Sequence, residues 1–123
     1  MTYQCKLDIF EGPLDLLLHL IKEQKMDIYD IPIAEITRQY MKYLEMMKEL
    51  NLELVGEYLV MAAELTRIKS KILLPAPEID EELDAGGGED PRAELMRRLK
   101  EYQRYRDAAF ELRMKEHDRQ QVF

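Results

Sequence analysis

Between Phe10 and Ile21 the chain reads FEGPLDLLLHLI, and this segment constrains the fold more than any other. Glu11-Gly12-Pro13 breaks an extended run and opens a helix, with proline where a missing N–H costs nothing. Asp15 adds a negative charge in the first turn, where the helix dipole favours it. Leu14, Leu17, Leu18 and Ile21 then fall on one helical face. On these residues alone the segment is a capped core helix.

The residues on either side set the organisation. Tyr3, Cys5, Leu7 and Ile9 alternate with Gln4, Lys6 and Asp8, the pattern of a half-buried strand. The chain has no second strand pattern, so this strand lies against helices or pairs with another molecule. The first helix is expected over residues 13–24, with a tight turn at Asp27-Ile28-Tyr29-Asp30. Pro32 opens a second helix reaching about residue 50, with Ile33, Ile36, Tyr40, Tyr43, Leu44 and Met47 at helical spacing. Asn51 and its neighbours form a short connection, which makes the second and third helices antiparallel neighbours.

The third helix, over residues 52–74, carries two apolar rows. Leu54, Tyr58, Met61, Leu65, Ile68 and Ile72 step by alternating fours and threes, a heptad seam. Val55, Leu59, Ala62, Thr66 and Leu73 form a second row roughly 100° round the helix. Together they make an apolar band wider than one helix contact needs. Such a band suits either a central helix in a compact bundle, or a helix with one row packed internally while the other receives a partner helix.

Pro75-Ala76-Pro77 ends that helix, and Gly86-Gly87-Gly88 lies in an acidic run. Residues 76–90 hold seven acids and no base, which leaves 18 acids against 18 bases elsewhere, although the net charge is −7. The segment reads as a flexible linker that decouples the elements it joins. Asp90-Pro91 then caps and restarts a long helix reaching about residue 120. Its thin apolar stripe (Leu95, Leu99, Tyr102, Ala109, Phe110, flanked by Tyr105 and Leu112) reads as a tethered interaction segment rather than a core element. The fold class is therefore mainly α: an amino-terminal strand, a three-helix domain over residues 1–75, an acidic linker over 76–90, and one amphipathic helix over 91–123.

Composition narrows the function classes. A nucleic-acid binder carries a basic surface, and the folded parts here are near neutral, so any action on nucleic acid runs through protein partners. Charges and His19 break every apolar run before it could span a bilayer, and Gln4, Lys6 and Asp8 do not read as a signal peptide. The lone Cys5 fits a reducing, cytoplasmic setting. His19, between leucines, reads as structural, and His117 as solvated. Neither histidine has the spacing of a zinc motif, the glycine triplet is not a phosphate loop, and the acids lack a calcium-loop pattern. No catalytic, cofactor or metal site is expected, and the chain reads as a non-enzyme.

Four ordered blocks carry a resemblance: FEGPLDLLLHLI (10–21), DIYDIPIAEITRQY (27–40), EYLVMAAELTRIKSKILLP (57–75) and EDPRAELMRRLKEYQRYRDAAFEL (89–112). In this order they resemble bacterial segregation and condensation protein A, the kleisin of the SMC chromosome-condensing complex. The resemblance runs from residue 3 to residue 123 and is interrupted only by the acidic stretch. It implies an amino-terminal helical domain that joins the coiled-coil neck of one SMC subunit. It also implies that the segment after the linker wraps a dimer of segregation and condensation protein B (ScpB). A carboxy-terminal winged-helix domain, which caps the other SMC head and closes a DNA-handling ring, has no room here, so the chain reads as an amino-terminal fragment.

Carried onto these residues, the neck contact is expected on Val55, Leu59, Ala62, Thr66 and Leu73, with the heptad row kept inside. The companion contact is expected on Leu95, Leu99, Tyr102, Ala109 and Leu112. DNA is reached only through the complex. The surplus apolar surface and the unpaired strand also make a homodimer of the isolated chain possible. The rival reading is a helical regulatory adaptor that sequesters a partner, which needs the wide apolar face but not the ordered blocks; a small metal-dependent helical enzyme is the more distant alternative.

Overall fold

The structure, a computed structural model, describes residues 10–50, 55–74 and 90–122. Among them are four helices: α1 (Pro13–Glu23), α2 (Ile33–Glu49), α3 (Gly56–Leu73) and α4 (Ala93–Val122). The strand expected from Tyr3 to Ile9, residues 76–89 of the acidic linker, and Leu52 and Leu54 lie outside the described residues.

Helix α1 starts where the proline dictates, with Pro13 in its first turn and Gly12 before it. Asp15 does more than meet the helix dipole: its carboxylate accepts the Glu11 N–H at 3.0 Å and so fixes how the chain enters. The far end closes in a Schellman motif. Lys25 takes a left-handed φ of 54°, and the Met26 N–H reaches back to the Ile21 carbonyl at 2.8 Å. A β-carbon is strained in that region, so the end is held by these bonds and by Met26 packing on the core rather than by residue preference.

The Asp27–Asp30 turn comes next, with the Asp27 carboxylate accepting the Tyr29 N–H at 2.9 Å. Pro32, in extended geometry, caps α2. Helices α2 and α3 run antiparallel: Ile33 and Ala34 at the start of α2 share a groove with Ile72 and Leu73 at the end of α3. The buried Tyr40 hydroxyl donates to the Tyr58 carbonyl at 2.8 Å across this pair, and burial pushes that hydroxyl's pKa well above its usual range.

The central helix is α1, not α3. Leu16, Leu17, Leu18, Leu20 and Ile21 are all buried, and α2, α3 and α4 each pack against α1. Its leucines and Ile21 span roughly 200° of the circumference, more than one neighbouring helix can cover. Leu95 and Leu99 of α4 sit in the same core, at 1% and 0% exposure. This corrects the expectation of a three-helix domain with a decoupled fourth helix. The start of α4 is a core element: the α1 residues that meet it, Leu14, Asp15 and Lys22, flank Leu18, and that side of α1 needs a cover as well.

Candidate functional site

Helix α3 separates its two rows cleanly. Tyr58, Met61, Leu65 and Ile68 of the heptad row are buried, while Ile72 at the carboxy-terminal end is partly open. The second row faces outward: Leu59 is 53% and Leu73 61% exposed, Val55 and Thr66 are exposed, and Ala62 is partly covered. The Thr66 hydroxyl donates to the Ala62 carbonyl at 2.9 Å, so it brings no unsatisfied donor to the stripe. The row is made of large and small side chains, uncharged except at Lys69, which takes the register position between Thr66 and Leu73. Ala62 and Thr66 lie between Leu59 and Leu73, which allows close approach of another helix.

Two recesses border this row. One of about 600 Å3 lies between α2 and α3, lined by Ala34, Thr37, Met41, Lys42, Thr66 and Lys69. The other, about 470 Å3, lies at the carboxy-terminal end of α3 and is lined by Ile31, Ile33, Ile72, Leu73 and Arg92. On the rim of the first, Arg38 pairs with Glu35 at 2.6 Å, and that contact lowers the Glu35 pKa.

The expected companion-binding residues of α4 divide into two groups. Leu95 and Leu99 are buried in the core and Tyr102 is partly covered, with its hydroxyl donating to Glu11 at 2.7 Å. Ala109 is partly covered and Leu112 is 65% exposed. The structure therefore does not gather these five residues into one open face.

Polar ties absent from any sequence-based expectation hold the first half of α4 down. Arg92 donates to Asp30 at 2.8 Å and to the Ile31 carbonyl at 2.7 Å. Lys100 sits 4.9 Å over the Tyr29 ring, Arg98 pairs with Glu64 of α3, and Arg106 pairs with Asp15 of α1 at 2.8 Å. Only the position of Arg98 and Arg106 beside the Leu95–Leu99–Tyr102 line hints at this. No spacing rule in the sequence pairs them with acids 34 and 91 residues away. Between these ties lies a recess of about 490 Å3 lined by Glu11, Asp15, Glu57, Val60, Arg98 and Tyr102.

His19 serves packing. Its ring lies 5.2 Å from Phe10 and 6.2 Å from Tyr43, and Nε2 meets Glu23 at 2.9 Å. Among the described residues, no three His, Cys, Asp or Glu side chains are grouped to hold a metal, and no helix is long and apolar enough to cross a membrane. The described geometry offers helix surface for other helices.

Comparison with known proteins gives consistent results. The family model described as Segregation and condensation protein ScpA matches residues 20–123. Segregation and condensation protein A of Halalkalibacterium halodurans is 60% identical over 121 residues, covering 98% of this chain and 46% of that protein. The protein of the same name in Oceanobacillus iheyensis is 54% identical over 121 residues, covering 98% and 49%. That of Coxiella burnetii is 60% identical over 106 residues, covering 86% and 38%. The chain spans about half or less of the length of these curated relatives.

Proposed function

The chain belongs to the segregation and condensation protein A family, and from that premise we propose that it is a non-enzymatic kleisin segment acting in chromosome condensation and segregation during cell division. It bridges an SMC coiled-coil neck and a dimer of segregation and condensation protein B, in the cytoplasm at the nucleoid, and meets DNA only through those partners. The outward row of α3 carries this reading. Val55, Leu59, Ala62, Thr66 and Leu73 form a largely apolar stripe, with Lys69 its one charge, on a helix whose other apolar row is already buried, and such a stripe fits the helices of a coiled-coil neck. The near-neutral charge outside the acidic run supports contact with protein rather than with phosphates.

The second contact is assigned to α4. Ala109 and Leu112 can be reached as the helix stands, and Leu95, Leu99 and Tyr102 once it lifts from α1. Co-purification tests the assignment. The chain is expected to pull down an SMC head-plus-neck fragment, and Leu59→Glu is expected to abolish this while helicity by circular dichroism is kept. Retained SMC binding by Leu59→Glu, together with loss of binding in a folded Tyr58→Glu variant, would reverse the assignment of the two rows.

A further inference from the structure

We propose that α4 is a strap with two mutually exclusive partners: closed, it covers α1, and open, it binds the companion protein. The inference rests on the assignment of Leu95, Leu99 and Tyr102 to the companion contact. These three residues lie along one line of α4, spaced by four and then three, and in the closed form that line is covered by the core. The first half of α4 has no second apolar line to offer. Its outward positions are mostly charged, among them Glu94, Arg97, Lys100, Glu101 and Arg104, with Tyr105 a single exposed aromatic and Met96 half-buried against the core. One face cannot be in α1's core and on a partner at the same time, so companion binding has to lift the helix.

The surfaces that hold the strap are all on the receiving side: Asp15 on α1, Glu64 on α3, and Asp30 with the Ile31 carbonyl on the turn before α2. The projecting half, with Leu112 exposed, gives the companion a first foothold that displaces nothing. The neck-facing row is indifferent to the strap. Val60 and Glu64, which meet the α4 side, lie on roughly the opposite side of α3 from Leu59 and Thr66. The closed fraction therefore lowers apparent affinity for the companion and leaves SMC binding alone.

Receiving-side substitutions test this in the full chain, because they loosen the strap without altering the face of α4. In Asp15→Asn combined with Glu64→Gln, companion affinity should tighten by roughly two- to tenfold, the range expected for losing two partly exposed ion pairs. SMC binding should not change. Asp30→Ser, at a residue that is itself exposed, repeats the test on a third tie and should also tighten binding. Hydrogen exchange supplies an independent readout: adding companion should raise exchange across residues 16–21 of α1 as their cover leaves. Companion binding with unchanged affinity in both variants and undiminished protection of α1 would overturn the strap while leaving the companion assignment standing. No companion binding by the parent chain would overturn the assignment itself, and the strap with it.

Discussion

The two halves of α4 are built from similar residues and end up in opposite situations. Leu95 and Leu99 in the first half are sealed in the core, whereas Tyr105, Phe110, Leu112 and Met114 in the second are exposed. Apolar content does not separate them; angular position does. The line that meets α1 runs through Leu95, Leu99 and Tyr102, and its next members are Arg106, Ala109 and Arg113, two charges around one small side chain. Tyr105 and Leu112 lie roughly 100° to one side of that line, and Met114 about 90° to the other. Docking stops where the line becomes charged, and Arg106 ends it by pairing with Asp15. A helix can thus be core over one stretch and interface over the next with no break in its backbone.

The strongest way to break this comparison is to truncate one leucine in each half. Leu99→Ala removes a fully buried side chain and is expected to cost about 2–5 kcal/mol in urea unfolding. Leu112→Ala, on the exposed flank, is expected to stay within about 0.5 kcal/mol. Equal costs would mean that the halves are not distinct. A smaller effect is expected at Arg92, whose mostly buried side chain ties the start of α4 to Asp30 and the Ile31 carbonyl. Arg92→Ala should cost about 1–2 kcal/mol, since it strips charged hydrogen bonds from a partly covered site. Arg113→Ala in the projecting half should be near neutral by the same measurement.

Much of the fold is legible in the sequence because local chemistry and periodicity agree. Pro13, Pro32 and Asp90 mark helix starts, and the fours and threes from Tyr58 to Ile68 mark the buried side of α3. The outward row of α3 is legible too, as the apolar remainder once the heptad row is assigned. The docking of α4 is not. Leu14, Leu17, Leu18 and Ile21 suggest a single apolar face, but Leu16 and Leu20 widen it to roughly 200° and are buried too. The leucine-rich LDLLLHLI run holds the signal: an apolar arc that wide needs more than one neighbour. The acidic run before Asp90 points the other way, toward a separate fourth helix, yet linker composition sets the reach of a segment and not where it lands. The pairings of Arg98 with Glu64 and Arg106 with Asp15 depend on that landing, so no spacing in the sequence encodes them.

The smallest expected effect separates the halves by pH. Asp90 accepts the Arg92 backbone N–H at 2.9 Å and its Nη2 at 2.6 Å, and the Arg92 side chain, ahead of the backbone bond, holds the carboxyl below its usual pKa. A carboxyl whose folded pKa is depressed stabilises the fold above its unfolded pKa, near 4, and loses that contribution as pH falls through the folded value. Acidification below about pH 4 should therefore loosen the start of α4. Backbone chemical shifts across residues 93–99 should lose helical character between pH 5 and pH 3, and in the Asp90→Asn variant, which can still cap, this change should largely vanish. The exposed pairs Arg97–Glu94 and Arg97–Glu101 stay within one helix, so they tie α4 to nothing else. If the Asp90→Asn variant loses helical shifts at the start of α4 over the same pH range as the parent, Asp90 is not the acid-sensitive point, and the anchor of the docked half lies instead in the buried Leu95 and Leu99.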